Sequence, residues 1–221
     1  MTKRGRLIVF EGADGSGKTT QSKLLIKYLE SKKIPNAYIS FPRYEDSMWA
    51  RMVRRFLSGD FGKLSQVDPY FASVLYAGDR MSARGEMDRW LAGGKIIVCN
   101  RYIGSNIGHM AAKFKSQSER SKYIEWLESL EYGENGIPKE DLVIFLDMPI
   151  MFAKKLMKGR NLDIHESDLK YQGKVLEVYD DICGKKNYWI SVDCTKNGRI
   201  LKPDQLHKKV LQILKEKKII N

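Results

Sequence analysis

Gly12-Ala13-Asp14-Gly15-Ser16-Gly17-Lys18-Thr19 matches the phosphate-binding spacing G-x-x-x-x-G-K-[ST] at every fixed position. Before it, Leu7-Ile8-Val9-Phe10 is an unbroken apolar run of strand length, as expected for a strand buried on both faces. After it, Leu24, Leu25, Tyr28 and Leu29 recur at helical spacing. Strand, glycine-rich loop and helix thus follow in the order that a phosphate cradle needs. The glycines let backbone N–H groups converge on phosphate oxygens, and the helix N-terminus adds roughly half a positive charge. Lys18 is the residue to reach the β- and γ-phosphates, and the Thr19 hydroxyl the one to hold Mg²⁺. The stretch Gly12 to Thr20 therefore reads as a nucleoside triphosphate site.

Working outward, strand-like runs alternate with longer helical patterns. Ala37–Phe41, Ile96–Cys99, Leu142–Leu146 and Trp189–Val192 supply four further strands. Helical spacing covers Trp49–Leu57, Pro69–Leu91, Ser118–Leu130, Phe152–Lys158, Leu169–Ile182 and Asp204–Lys217. Gly93-Gly94 stops one helix just before a strand, as a left-handed cap would. The alternation predicts an α/β fold: a five-stranded parallel sheet with helices on both faces. Such sheets bind ligands beyond the carboxyl ends of their strands. There the sequence offers Phe41-Pro42-Arg43-Tyr44, Asn100-Arg101-Tyr102 and Asp147-Met148-Pro149. Either arginine alone reads as a surface ion-pair partner. Both beside a phosphate loop read as forks for phosphate oxygens.

Composition narrows the class. Among 221 residues, 39 basic and 27 acidic side chains give a net charge of +12. That balance suits nucleic acid or small phosphorylated anions. The basic residues are spread along the chain, and the terminal lysines read as one solvated helix face, so no nucleic-acid partner is expected. No apolar run reaches the ~20 residues of a membrane span, and Met1-Thr2-Lys3-Arg4 leads straight into the first strand without a signal-peptide pattern. Cys99, Cys183 and Cys194 lack metal-ligand spacing and read as reduced thiols of a cytoplasmic protein. No linker divides the chain, so one domain, 1–221, is expected.

Two further segments carry alternatives. Tyr76 and Arg80 stand one helical turn apart. The pair reads either as a ring stacked on a nucleobase with a guanidinium at its edge, or as a half-buried tyrosine covered by an arginine stem. The basic stretch Lys154 to Arg160 leads into the polar segment 161–167. It reads either as a mobile lid over about 154–168 that brings Arg160 to the triphosphate, or as a solvated helix end.

Together these blocks resemble thymidylate kinase, a family of P-loop nucleoside monophosphate kinases. The resemblance is carried by Phe10–Thr20, Phe41–Tyr44, Tyr76–Arg80, Asn100–His109 and Arg160–Glu166. It implies the three-layer P-loop NTPase fold and transfer of the ATP γ-phosphate to dTMP with Mg²⁺, in a homodimer. By position, it assigns Arg43 to the acceptor phosphate, Tyr76 to stacking on thymine, and Arg80 to the base. Asn106 falls at a thymine-facing position, with Phe41 nearby. Arg101 lies at the phosphates and Asp14 at the acceptor sugar. Asp163 and Glu166 match lid acids near the nucleotides. In the subset whose phosphate loop carries no basic variable residue, the lid supplies the catalytic arginine. Ala13, Asp14, Gly15 and Ser16 place this chain there, with Arg160 as the catalytic candidate beside Lys18 and Arg101.

Two positions depart from the family pattern. Asn100 stands where the block usually begins with Asp, and His109 replaces a tyrosine that packs beside the sugar. They leave open a kinase for another deoxynucleoside or modified pyrimidine monophosphate. A P-loop ATPase or GTPase switch is the different-class alternative, but no guanine-reading N-K-x-D occurs and the acceptor-side arginines would lack a purpose.

Overall fold

The five apolar runs become β1 (Arg6–Glu11), β2 (Asn36–Ser40), β3 (Ile96–Asn100), β4 (Leu142–Asp147) and β5 (Trp189–Asp193). They form one sheet in the order β2-β3-β1-β4-β5, with every pair parallel. The computed structural model describes residues 4–44, 46–63, 65–157 and 169–220, with Met157 and Leu169 as backbone only. Because side chains alternate along a strand, the runs feed two cores. Leu7, Val9, Ile97, Cys99, Val143 and Phe145 point to one face. Ile8, Phe10, Val98, Ile144 and Leu146 point to the other. Full burial on both faces explains why these strands show no polar alternation.

Helices α1 (Lys18–Ser31), α6 (Ile150–Met157) and α8 (Pro203–Glu216) cover the second face through Leu25, Leu29, Ala153, Val210 and Leu214. The first face is covered by α2 (Met48–Leu57), α3 (Pro69–Ala92), α4 (Ile103–Ala111), α5 (Gln117–Glu128) and α7 (Leu169–Lys185). Each fully buried Leu, Val or Phe contributes about 1.5–3 kcal/mol, so the two cores dominate the fold's stability. The start of α3 is fixed locally. The Asp68 carboxylate accepts from the Tyr70 and Phe71 N–H groups, with Pro69 at the first helical position. Its end is closed as the glycine pair predicts. Gly94 adopts φ 75°, Gly94 N–H donates to Leu91 O, and Lys95 N–H donates to Trp90 O.

Three elements differ from the sequence reading. Helix α4 has two glycines and little polar face, so its periodicity is weak, and eight of its nine residues are buried. Tertiary packing, not propensity, makes it helical. Helix α5 runs on into a π-helical turn, Ser129–Glu134. A small hairpin, β6 (Thr195–Lys196) and β7 (Arg199–Ile200), closes around Asn197-Gly198, both at positive φ. Asn-Gly was its visible signal. The predicted lid core, 158–168, lies outside the described residues.

Candidate active site

The sheet order changes direction beside β1, so the loop after β1 sits in the crevice where parallel sheets bind ligands. Gly12 is at φ 145°, and a Cβ there would lie 2.7 Å from the Leu146 carbonyl oxygen. The chain can turn tightly against β4 only with glycine at this point. Lys18, buried at the N-terminus of α1, folds back so that Nζ donates to Gly12 O (2.9 Å) and Ala13 O (2.7 Å). Above the loop opens a cavity of about 440 Å³, lined by Asp14, Lys18, Thr19, Asn100, Arg101 and Leu156.

A second cavity of about 200 Å³ lies against the same loop. Tyr76, Leu57 and Met110 give it apolar surface, and Asp14, Arg101, Asn106 and His109 give it polar groups. Asp14 and Arg101 line both cavities and form an ion pair between them. Arg101 takes φ 67°, a left-handed conformation unusual for a side-chain-bearing residue. Burial opposes its charge, but Asp14, then Tyr179 and Glu11, hold its pKa above the ordinary arginine value. His109 behaves oppositely. Burial, with Arg101 and Lys18 acting in the same direction, pushes its pKa down to about 4 against the pull of Asp14. The imidazole is therefore neutral at pH 7.

The other two arginines line neither cavity. The Arg43 backbone N–H donates to Asp79 Oδ2 (2.8 Å), its Nε lies 3.4 Å from Asp79 Oδ1, and Nη2 donates to Ser82 Oγ (2.7 Å). Arg80 is buried, with Nε donating to Glu131 Oε1 at 2.8 Å and Nη1 to Tyr102 O at 3.4 Å. Thus one strongly cationic group, Arg101, stands between two cavities of unlike character, one polar beside a phosphate loop and one half apolar.

Comparison with known proteins bears on this arrangement. The family model described as thymidylate kinase matches residues 10–204. The chain belongs to the thymidylate kinase family. It is a kinase, and both cavities fall within the matched region. Thymidylate kinase from Plasmodium falciparum is 27% identical over 194 residues, covering 88% of this chain and 84% of that protein. Thymidylate kinase from Mycobacterium tuberculosis is 27% identical over 186 residues, covering 81% and 86%. The solved thymidylate kinase of Candida albicans superposes with a TM-score of 0.79 at 26% identity, covering 99% of this chain and 96% of that one. That structure is reported to reveal the origin of broad substrate specificity.

Against the residues singled out by the thymidylate kinase resemblance, the structure sorts as follows. Asp14, Gly15, Gly17, Lys18, Thr19 and Thr20 line the phosphate-loop cavity, while Gly12 and Ala13 present carbonyls to Lys18. The buried Ser16 hydroxyl faces inward near Gly12. Asp14, Tyr76, Arg101, Asn106 and His109 meet in the second cavity. Phe41 lies behind it, 5.8 Å from the Tyr102 ring, and the next residue, Pro42, lines the wall after a cis peptide bond. Arg43 and Arg80 are not among its lining residues. Arg160, Asp163 and Glu166 lie outside the described residues.

A Mg²⁺ ion finds a partial fit. Asn100 Nδ2 donates to Thr19 Oγ1 at 3.3 Å, and the buried Asn100 Oδ1 has no hydrogen-bond partner among the described residues. Among the described residues, no cluster of three acidic, His or Cys groups is placed to hold a metal. The protein thus offers neutral oxygens, which suits an ion carried chiefly by phosphates and water.

Sequence reasoning gave no role to Ser105, Tyr44 or the buried carboxylates Glu11 and Asp79. Ser105 stands in the first turn of α4, four residues after Arg101, which precedes the helix at φ 67°, so helical spacing gave no signal for their contact. The carboxylates carry no local signal, because their hydrogen-bond partners are 32 to 168 residues away.

Proposed function

We propose that the protein transfers the γ-phosphate of ATP to dTMP, giving dTDP and ADP. The observation that carries this reading is the pair of cavities sharing Arg101 and Asp14, one on the phosphate loop and one half apolar. ATP phosphates take the loop cavity, where Lys18 Nζ exchanges the Gly12 and Ala13 carbonyls for phosphate oxygens. The nucleoside monophosphate takes the other, with Tyr76 against the base, Asn106 at its edge, and Asp14 and His109 beside the sugar. The acceptor phosphate is already a nucleophile, so positioning and charge neutralisation supply most of the acceleration. Arg101 bridges donor and acceptor phosphates, Arg160 joins it from the lid with Asp163 and Glu166, and Arg43 serves the acceptor phosphate and Arg80 the base side. Thr19 and Asn100 Oδ1 are the groups to hold a hydrated Mg²⁺, which supplies charge neutralisation on the phosphates.

The same reading makes 1–221 one catalytic unit with a lid near 154–168, acting as a homodimer in the cytoplasm. Support for the dimer comes from exposed apolar side chains on neighbouring helices, Met48 on α2 with Phe71, Val74 and Met81 on α3. The three free thiols are in keeping with a reducing compartment. Among the described residues, no helix is long and apolar enough to cross a membrane.

The deciding experiment is an acceptor panel. ADP release is measured with dTMP, dUMP, dCMP, UMP and dGMP, and dTMP is expected among the preferred acceptors. A chain that turns over dGMP or UMP but not dTMP would overturn the assignment. Lys18→Ala removes transfer while leaving the melting curve intact. Arg160→Ala lowers kcat, and a change confined to acceptor KM would refute its catalytic role.

A further inference from the structure

The last residue of β1, Glu11, directly precedes the phosphate loop, is fully buried, and faces the acceptor-side helix α4. Four donors converge on its carboxylate. Oε1 accepts from the Tyr102 N–H (2.7 Å) and the Ser105 N–H (2.9 Å). Oε2 accepts from the Ser105 hydroxyl (2.6 Å) and the Tyr179 hydroxyl (3.2 Å). The first two donors belong to the opening turn of α4, whose N-cap residue Tyr102 has no capping side chain. Glu11 therefore caps α4 from another element. Gly104 makes the approach feasible, since a Cβ there would lie 2.9 Å from Glu11 Oε1 and 2.6 Å from the Trp189 ring. Burial outweighs the pull of Ser105, Arg101, the Tyr102 N–H and Lys18 and holds the Glu11 pKa above the ordinary carboxylate value. All four contacts present a proton to the carboxylate, so the ionised form is the one this arrangement solvates.

Proton bookkeeping extends the contact to Arg101. A serine hydroxyl has one proton, and Ser105 directs it to Glu11. Its oxygen lone pairs are then left for Arg101 Nη1, which donates at 3.1 Å. Arg101 in turn pairs with Asp14 of the loop. The chain Glu11, Ser105, Arg101, Asp14 closes a ring whose ends flank Gly12-Ala13 of the loop.

We propose that Glu11 is a positioning residue for phosphoryl transfer. By taking the Ser105 proton it turns that oxygen toward Arg101, and so sets the guanidinium between the two cavities. The proposal rests on the reading that Arg101 works at the phosphates. Glu11→Gln keeps the shape but reverses the proton order. The amide oxygen must face the two backbone N–H groups, so its NH₂ donates to Ser105, and the serine proton is turned toward Arg101, donor against donor.

The test is steady-state kinetics with ATP and dTMP, with thermal melting of each variant. Glu11→Gln is expected to lower kcat roughly ten- to a hundred-fold, the scale of a misplaced reacting geometry, with little change in either KM. Ser105→Ala alone gives a smaller fall. In the Glu11→Gln background it removes the conflicting donor and raises kcat back to the Ser105→Ala value, a rescue that a merely structural role would not produce. Glu11→Gln with parental kcat, or a Ser105→Ala change that deepens the loss, overturns the proposal. If Glu11→Gln does not fold, Ser105→Ala decides, and unchanged kcat refutes the relay. Arg101→Ala separates the two levels. Full activity in that variant sinks the Arg101 reading itself, whereas its loss with normal Glu11→Gln sinks only the relay.

Discussion

The pair Arg80–Glu131 joins α3 to the π-helical turn with both side chains buried, and cutting it tests how this fold tolerates buried charge. The two side chains are 2% and 0% exposed. Arg80 Nε donates to Glu131 Oε1 at 2.8 Å, and Nη2 donates to the same oxygen. Glu131→Ala leaves a guanidinium that cannot shed its proton and whose remaining hydrogen bond, among the described residues, is the 3.4 Å contact to Tyr102 O. Removing one partner of a buried pair costs about 3–5 kcal/mol. At about 2–4 °C per kcal/mol for a chain of this size, Tm should fall by roughly 6–20 °C. Calorimetry or circular dichroism at pH 7 measures it. The double variant Arg80→Met, Glu131→Leu should recover most of the loss, because apolar side chains of similar volume replace a buried pair at little cost. A Glu131→Ala protein melting within about 2 °C of the parent would refute the argument, since one unpaired buried charge is too costly to hide there. So would a double variant whose loss is the sum of the singles.

Three further outcomes follow from the same geometry. Glu140 is buried against Tyr132, whose hydroxyl donates to it at 2.6 Å, and burial raises its pKa from 4.5 to about 7. With the folded value the higher one, its contribution is intact below pH 4.5 and lost as pH rises through 7, by about 3 kcal/mol in the limit. Glu140→Gln should therefore gain Tm relative to the parent between pH 5 and 8, and a pH-independent difference would exclude the effect. His109 has the depressed value, about 4 against 6.5, so its contribution is present above pH 6.5 and lost as pH falls through 4. His109→Gln should flatten the acid limb of the Tm profile, and an unchanged limb would show that another group controls it. Gly78→Ala would set a methyl 2.3 Å from the Trp49 ring and should cost about 1–3 kcal/mol, read as a lower denaturant midpoint with unchanged slope. A parental midpoint would mean that α2 yields freely.

Much of this was legible because it is local. The phosphate loop declares itself through glycines that must turn and a lysine and threonine at fixed offsets. The five strands declare themselves because a sheet covered on both faces needs continuous apolar runs. Helix α3 was legible to within a residue because a cap, a proline and a closing glycine mark its ends. Helix α4 was missed because Gly104 and Gly108 erase its periodicity, although Asn106 and His109 on it had been singled out by resemblance. Tyr76 and Arg80 show the limit of spacing. One turn apart, they part company in the fold, the ring toward the second cavity and the guanidinium toward Glu131.

By itself, the sequence determined the five sheet strands, most of the helices, the phosphate-loop motif and the family, since each depends on residue types at short fixed spacings. The tertiary structure decided which charges meet. Glu11 finds Ser105 at 94 residues' separation, Arg101 finds Asp14 at 87, and Arg80 finds Glu131 at 51. Such pairs leave no periodic trace in the chain. They arise when parallel strands bring distant carboxyl ends to one edge, where burial makes an unpaired charge too costly to leave alone.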